Sequence, residues 1–220
     1  MTRAADPLLA IIDVDAAARA GWQAIDLARA FVDGGARCVQ LRAKNLPGGA
    51  FLATATAIVH LAHRCGATVI VNDRADIARL AGADGVHLGQ DDLAPLSVRP
   101  LVGPAATVGL STHSLEQLER ALDQPVDYVA IGPVFGTTTK DTGYRAVGID
   151  LVREAARRAA SRGRPLVAIG GITLERAPSV IAAGASSVAV VGDLLDSGEP
   201  EARVRAYLER LSQPDLAIGS

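Results

Sequence analysis

The sequence predicts an α/β fold built as a single (β/α)8 TIM barrel. Three observations carry that prediction. Eight short β-rich runs are spread along the 220 residues, apolar residues recur at helical spacing between most of them, and a Gly-Ala pair repeatedly precedes a strand. The runs are 8–12, 38–41, 68–71, 85–88, 107–110, 128–131, 166–169 and 188–191. Helical spacing shows in Ile25, Ala28 and Val32, and again in Leu115, Leu118 and Leu122. The fourth connection, 91–106, is interrupted by Pro and reads as a short, irregular helix. The punctuation is Gly35-Ala36, Gly82-Ala83 and Gly184-Ala185, with Gly placed to take the left-handed turn past a helix end. Successive pairs stand 47 and 102 residues apart, about two and four strand-plus-helix units. Strands alternating with helices imply a parallel sheet with right-handed crossovers, and eight units close it. A doubly wound open sheet is the alternative, and no G-x-G-x-x-G or Walker A pattern supports it. Residues 1–212 are expected to form the barrel domain, and 213–220 a polar tail.

Composition narrows the function. The chain has 22 basic and 24 acidic residues, a net charge of −2, with 49% hydrophobic residues and only 3% aromatic. Such a balance argues against nucleic-acid and anionic-membrane partners, and so few aromatics argue against base stacking. The first apolar run is too short for a signal-peptide core or a membrane span. Cys38 and Cys65 are too few for a disulfide framework and are expected as reduced thiols, which fits a cytoplasmic protein.

In this fold the site lies where strands end. The first strand is followed by Asp13. Later strand ends carry Gln40, Arg42 and Lys44; Asn72 and Asp73; Gln90, Asp91 and Asp92; Ser111 and His113; Thr137, Thr138, Thr139 and Lys140; Gly170 and Gly171; and Gly192 with Asp193. Alternation sends Gln40 and Arg42 to one face, opposite Val39 and Leu41. That face should be the barrel mouth, because an arginine under the helices would be buried without a partner. Ser111 and His87 point inward by the same periodicity, and His87 reads as a satisfied interior histidine.

Three features suggest a diphosphate held by a divalent metal. Asp73 ends one strand, and Asp91 or Asp92 ends the next; paired carboxylates suit Mg²⁺ shared with phosphate oxygens. Arg42, Lys44 and Lys140 can neutralise phosphate charge. Gly170-Gly171 and Val191-Gly192 follow the last two strands, where this fold cradles phosphate on backbone N–H groups. Each feature has a plainer explanation: an Asp after a strand caps helices, a Thr run can be a polar loop, and Gly-Gly can be a tight turn. His60, His63 and Cys65 are metal-like in type but sit near a helix end on the far side of the barrel.

Several segments together resemble the thiamine phosphate synthase family. They are Val39-Gln40-Leu41-Arg42-Ala43-Lys44, Val71-Asn72-Asp73-Arg74, Ala83-Asp84-Gly85-Val86-His87-Leu88-Gly89-Gln90-Asp91-Asp92, Gly109-Leu110-Ser111-Thr112-His113, Gly132-Pro133-Val134-Phe135-Gly136-Thr137-Thr138-Thr139-Lys140 and Ile169-Gly170-Gly171-Ile172. The resemblance implies a barrel enzyme that joins a hydroxymethylpyrimidine diphosphate to a thiazole phosphate with loss of pyrophosphate. It implies Mg²⁺ on Asp73 and Asp92. It implies pyrimidine-diphosphate contacts from Gln40, Leu41, Arg42, Ala43, Lys44, Asn72, Ser111 and Lys140. Among these, Arg42, Lys44, Ser111 and Lys140 would be catalytic. The Thr137–Thr139 run, Gly171, Val191 and Gly192 would hold the thiazole phosphate, although the family often has Ser where this chain has Gly192. The stretch 141–148 would be a lid. A thiazole tautomerase and a non-catalytic binding protein on the same barrel are the competing readings. The first needs a proton-transferring group and no metal-diphosphate site.

Overall fold

A computed structural model describes residues 6–136 and 145–212. Eight parallel strands close into a barrel in sequence order. They are β1 (Leu8–Asp13), β2 (Cys38–Arg42), β3 (Thr68–Asn72), β4 (Gly85–Leu88), β5 (Thr107–Thr112), β6 (Tyr128–Ile131), β7 (Leu166–Ile169) and β8 (Ser187–Val190). The helices are α1 (Val14–Arg19), α2 (Ala24–Asp33), α3 (Gly48–Arg64), α4 (Ala75–Ala81), α5 (Pro95–Val102), α6 (Leu115–Leu122), α7 (Gly148–Ser161), α8 (Ala177–Ala182) and α9 (Pro200–Ser212). The irregular fourth connection is α5, with Pro95 at its start and Pro100 inside it. Gly35, Gly82 and Gly184 all take positive φ, the backbone state the Gly-Ala punctuation requires.

Strand alternation sorts the core into two layers. Leu8, Ala10, Ile12, Val39 and Leu41 pack outward beneath the helices. Leu9, Ile11, Tyr128, Ala130, Val167 and Ala189 fill the barrel interior. Five strands end differently from the periodicity. β1, β2, β3 and β5 run one or two residues further, and β8 spans Ser187–Val190 instead of 188–191. The extra residues Asp13, Arg42, Asn72, Ser111 and Thr112 are polar. A hydrophobic pattern therefore stops short of them, while the parallel ladder continues to Asp13↔Arg42 and to Thr112↔Ile131.

Carboxylates brace the opposite end of the barrel. Asp84 precedes β4 and accepts the Val69 N–H at 2.8 Å; Asp127 precedes β6 and accepts the Val108 N–H at 2.8 Å. His63 lies 2.9 Å from the Asp84 carboxylate, so that histidine is part of this brace. Both cysteines are free. Among the described residues no helix is long and apolar enough to cross a membrane.

Candidate active site

A cavity of about 370 Å³ opens at the C-terminal ends of the strands. Its walls include Gln40, Arg42, Asn72 and Ser111 on one side, and Gly171, Val191 and Gly192 on the other. The side chains of Leu41 and Ala43 do not reach it. Both are buried in the layer beneath the helices, so only their backbone is available to a ligand there. Thr137, Thr138, Thr139 and Lys140, and 141–144 of the expected lid, lie outside the described residues.

Register explains how Arg42 is aimed. Asp13 and Arg42 are paired neighbours across β1 and β2, and their side chains form an ion pair at the cavity edge. Asp13 also caps α1 by accepting the Ala16 N–H at 2.9 Å. One carboxylate thus starts a helix and holds the guanidinium upright. Sequence reading marked Asp13 as a strand-end residue but gave it no role.

Beneath Ser111 lies a buried polar chain. His87 Nδ1 is 2.8 Å from the Tyr128 hydroxyl, and His87 Nε2 is 2.8 Å from Ser111 Oγ. Burial pushes the Tyr128 phenol well above its ordinary range, so it stays protonated. The chain needs Gly109, which stands between His87 and Tyr128 in the ladder. A Cβ there would lie 2.1 Å from Tyr128 Cζ. Periodicity alone turns His87 and Ser111 inward; the contribution of Tyr128 depends on the register across three strands.

The two aspartates meet outside the cavity lining. Asp73 follows β3 with φ of 64°, a left-handed state uncommon for any residue but glycine. Its carboxyl contacts that of Asp92 and forms an ion pair with Lys44. Burial, then the Asp92 contact, raise the Asp73 carboxyl above the usual carboxylate range, against the pull of Lys44. Neither aspartate caps the helix that follows it. The caps of α4 and α5 are Arg74 and Ala94, without side-chain bonds, and Asp92 instead accepts the Gly89 N–H at 2.6 Å. Asp91 is exposed. Among the described residues no group of three or more His, Cys, Asp or Glu side chains could hold a metal. The donor set is therefore a pair of hard carboxylates, which fits an ion that completes its shell with water and substrate phosphate.

The other wall is made differently. Gly171 has φ of 62°, and a Cβ on it would lie 2.5 Å from the Gly136 carbonyl oxygen. Gly192 opens a short 3-10 turn, Gly192–Leu194, directly after Val191. That turn is clamped by Asp193, which accepts Arg203 Nε and Nη2 (3.0 and 2.9 Å), the Tyr207 hydroxyl at 2.6 Å and the Leu174 N–H at 3.2 Å. Arg176 also lines this wall. The clamp and Arg176 carry no motif in the sequence, because their partners lie on other elements.

Comparison with known proteins agrees with this geometry. The family model described as thiamine monophosphate synthase matches residues 8–194. A thiamine-phosphate synthase of Thermus thermophilus is 44% identical over 196 residues, 88% of this chain and 93% of the relative. One from Roseiflexus castenholzii is 39% identical over 189 residues, covering 86% of this chain and 82% of the relative. A solved thiamine phosphate pyrophosphorylase from Pyrococcus furiosus superposes with a TM-score of 0.83 at 27% identity, covering 94% of this chain and 98% of that one.

Proposed function

This chain belongs to the thiamine monophosphate synthase family, and on that premise we propose how its residues carry out the family's reaction. The chain is a transferase of thiamine biosynthesis that condenses hydroxymethylpyrimidine diphosphate with a thiazole phosphate, giving thiamine phosphate and pyrophosphate. The observation that carries the reading of the site is the Asp73–Asp92 carboxylate pair with Lys44 against it, just outside the lining of a cavity whose walls include Arg42 on one side and Gly171 and Gly192 on the other.

Asp73 and Asp92 would hold Mg²⁺. When bound, that ion supplies positive charge to the departing diphosphate. Arg42 and Lys44 add cationic donors on the same side, and Lys140 is assigned the same task from the sequence. Gln40 and Asn72 supply side-chain amides to the pyrimidine side of the cavity. His87 bridges the Tyr128 hydroxyl and Ser111 Oγ, and so would fix Ser111 in place for the diphosphate. The aminopyrimidine carries the positive charge that develops on its methylene carbon. The thiazole nitrogen attacks that carbon and has no proton to lose, so the site needs no general base. Thr137, Thr138, Thr139, Gly171, Val191 and Gly192 are assigned to the thiazole phosphate; with Gly at 192, the last of these can offer only backbone. The protein's own contribution is positioning and fixed charge.

The free thiols Cys38 and Cys65 support a cytoplasmic location. The net charge of −2 supports small-molecule substrates over nucleic-acid or membrane partners. The experiment is incubation with both precursors and Mg²⁺, with the products identified by mass. Thiamine phosphate and pyrophosphate in equal amounts are expected. A rearranged thiazole phosphate without pyrophosphate would favour the tautomerase reading.

A further inference from the structure

The wall formed by Gly171, Val191 and Gly192 has no side-chain hydrogen-bond donor at those three positions. One cation stands beside it. Arg176 immediately precedes α8, lines the cavity, and is held at two points. Its Nη1 donates to the Gly171 carbonyl at 3.0 Å, and its Cζ lies 4.8 Å from the centroid of the Phe135 ring. Arg176 is exposed, yet its guanidinium is anchored to both the turn glycine and an aromatic face at the cavity edge. No carboxylate among the described residues lies within ion-pair distance of it, whereas Arg42 across the cavity is paired with Asp13. Of the two acidic residues on this wall, Asp193 is satisfied by Arg203, Tyr207 and Leu174. Asp196 has no cation partner among the described residues, so the wall without Arg176 would repel an anion. The bond to Gly171 uses one guanidinium donor and leaves the others for a ligand.

We propose that Arg176 is a binding residue for the phosphate of the thiazole substrate, with Phe135 as its positioning residue. Phe135 presents a ring face to the guanidinium. The inference rests on the proposed function and extends it to a residue outside every motif of the sequence.

The test is steady-state kinetics of pyrophosphate release, with thiazole phosphate varied at saturating pyrimidine diphosphate. Arg176→Ala is expected to raise the KM for thiazole phosphate about 10- to 100-fold, the cost of losing a charge-assisted contact. The KM for the pyrimidine diphosphate should stay within about twofold. Phe135→Leu should raise the thiazole-phosphate KM only a few-fold, and Arg176→Lys should recover part of the loss. The dephosphorylated thiazole alcohol, used as a competitor, should bind wild type and Arg176→Ala equally. An unchanged thiazole-phosphate KM overturns the proposal, as does an equal loss of alcohol binding, which marks a merely structural role. Arg176→Gln keeps a donor for Gly171 and replaces the Ala variant if that one loses its circular dichroism. Failure of the proposed function looks different: wild type itself releases no pyrophosphate.

Discussion

The two walls of the cavity are built by opposite means, and on the proposed function each would hold its anion differently. On the β2–β4 side charge comes from side chains: Arg42 braced by Asp13, Lys44 against Asp73, and Asp73 against Asp92. On the β7–β8 side it comes from backbone at Gly171 and Gly192, clamped from behind by Asp193 and α9, with Arg176 the cation lining that wall. The difference follows from what each phosphate does. A diphosphate that leaves gains charge in the transition state and repays strong, paired cations and a metal. A phosphate that serves only as a handle carries the same charge throughout, and fixed N–H groups with one anchored arginine would hold it without changing the chemical step. Side-chain changes on the first wall should therefore slow turnover, and changes on the second should weaken one substrate's binding.

The largest effect is expected at Asp92. Asp92→Asn keeps an oxygen for the Gly89 N–H but loses the charge. It should cut kcat by roughly 10²- to 10³-fold, as loss of one preorganised electrostatic group does, with an unchanged melting temperature. Normal turnover would remove the metal assignment. Next comes Arg42→Ala, which should lower kcat and raise the KM for the pyrimidine diphosphate, each about 10-fold, and leave the thiazole KM alone. A parallel rise in both would mean that the walls are not separate.

Gly171→Ala probes the backbone wall. With φ of 62° and the Gly136 carbonyl 2.5 Å from the new Cβ, the turn must shift. About a tenfold rise in the thiazole-phosphate KM is expected, with kcat nearly intact. The smallest effect concerns Cys38, on the strand face turned toward the barrel interior, whose thiol burial raises to about 11. Because a raised thiol pKa keeps the group protonated until pH rises through that value, iodoacetamide at pH 8 should label exposed Cys65 and spare Cys38. Mass mapping of the labelled peptide decides it.

Much of this was legible in the sequence because apolar periodicity and Gly-Ala punctuation are local signals. They place β4, β6 and β7 to the residue and predict inward-facing Gln40, Arg42, His87 and Ser111. What stays hidden depends on register or on distant partners. Asp13 becomes a brace only because β1 pairs with it opposite Arg42. Tyr128 reaches His87 only across a strand whose intervening residue is Gly109. Leu41 and Ala43 sit inside a matching motif yet point away from the cavity, since a motif records neighbours in sequence and not faces of a strand. The aspartates make the same point at the two ends of the barrel. Asp84 and Asp127 each hold a backbone N–H as a strut, whereas Asp73 and Asp92 face one another. Residue type alone does not separate these pairs.

The central claim is that charge held by Asp73 and Asp92 drives departure of the diphosphate. The most direct measurement is pyrophosphate release from both precursors as Mg²⁺ is titrated into chelator-treated wild type. Release should be absent without the ion, rise to saturation with it, and vanish again on adding excess chelator. Equal release in chelator and in Mg²⁺ would contradict the claim.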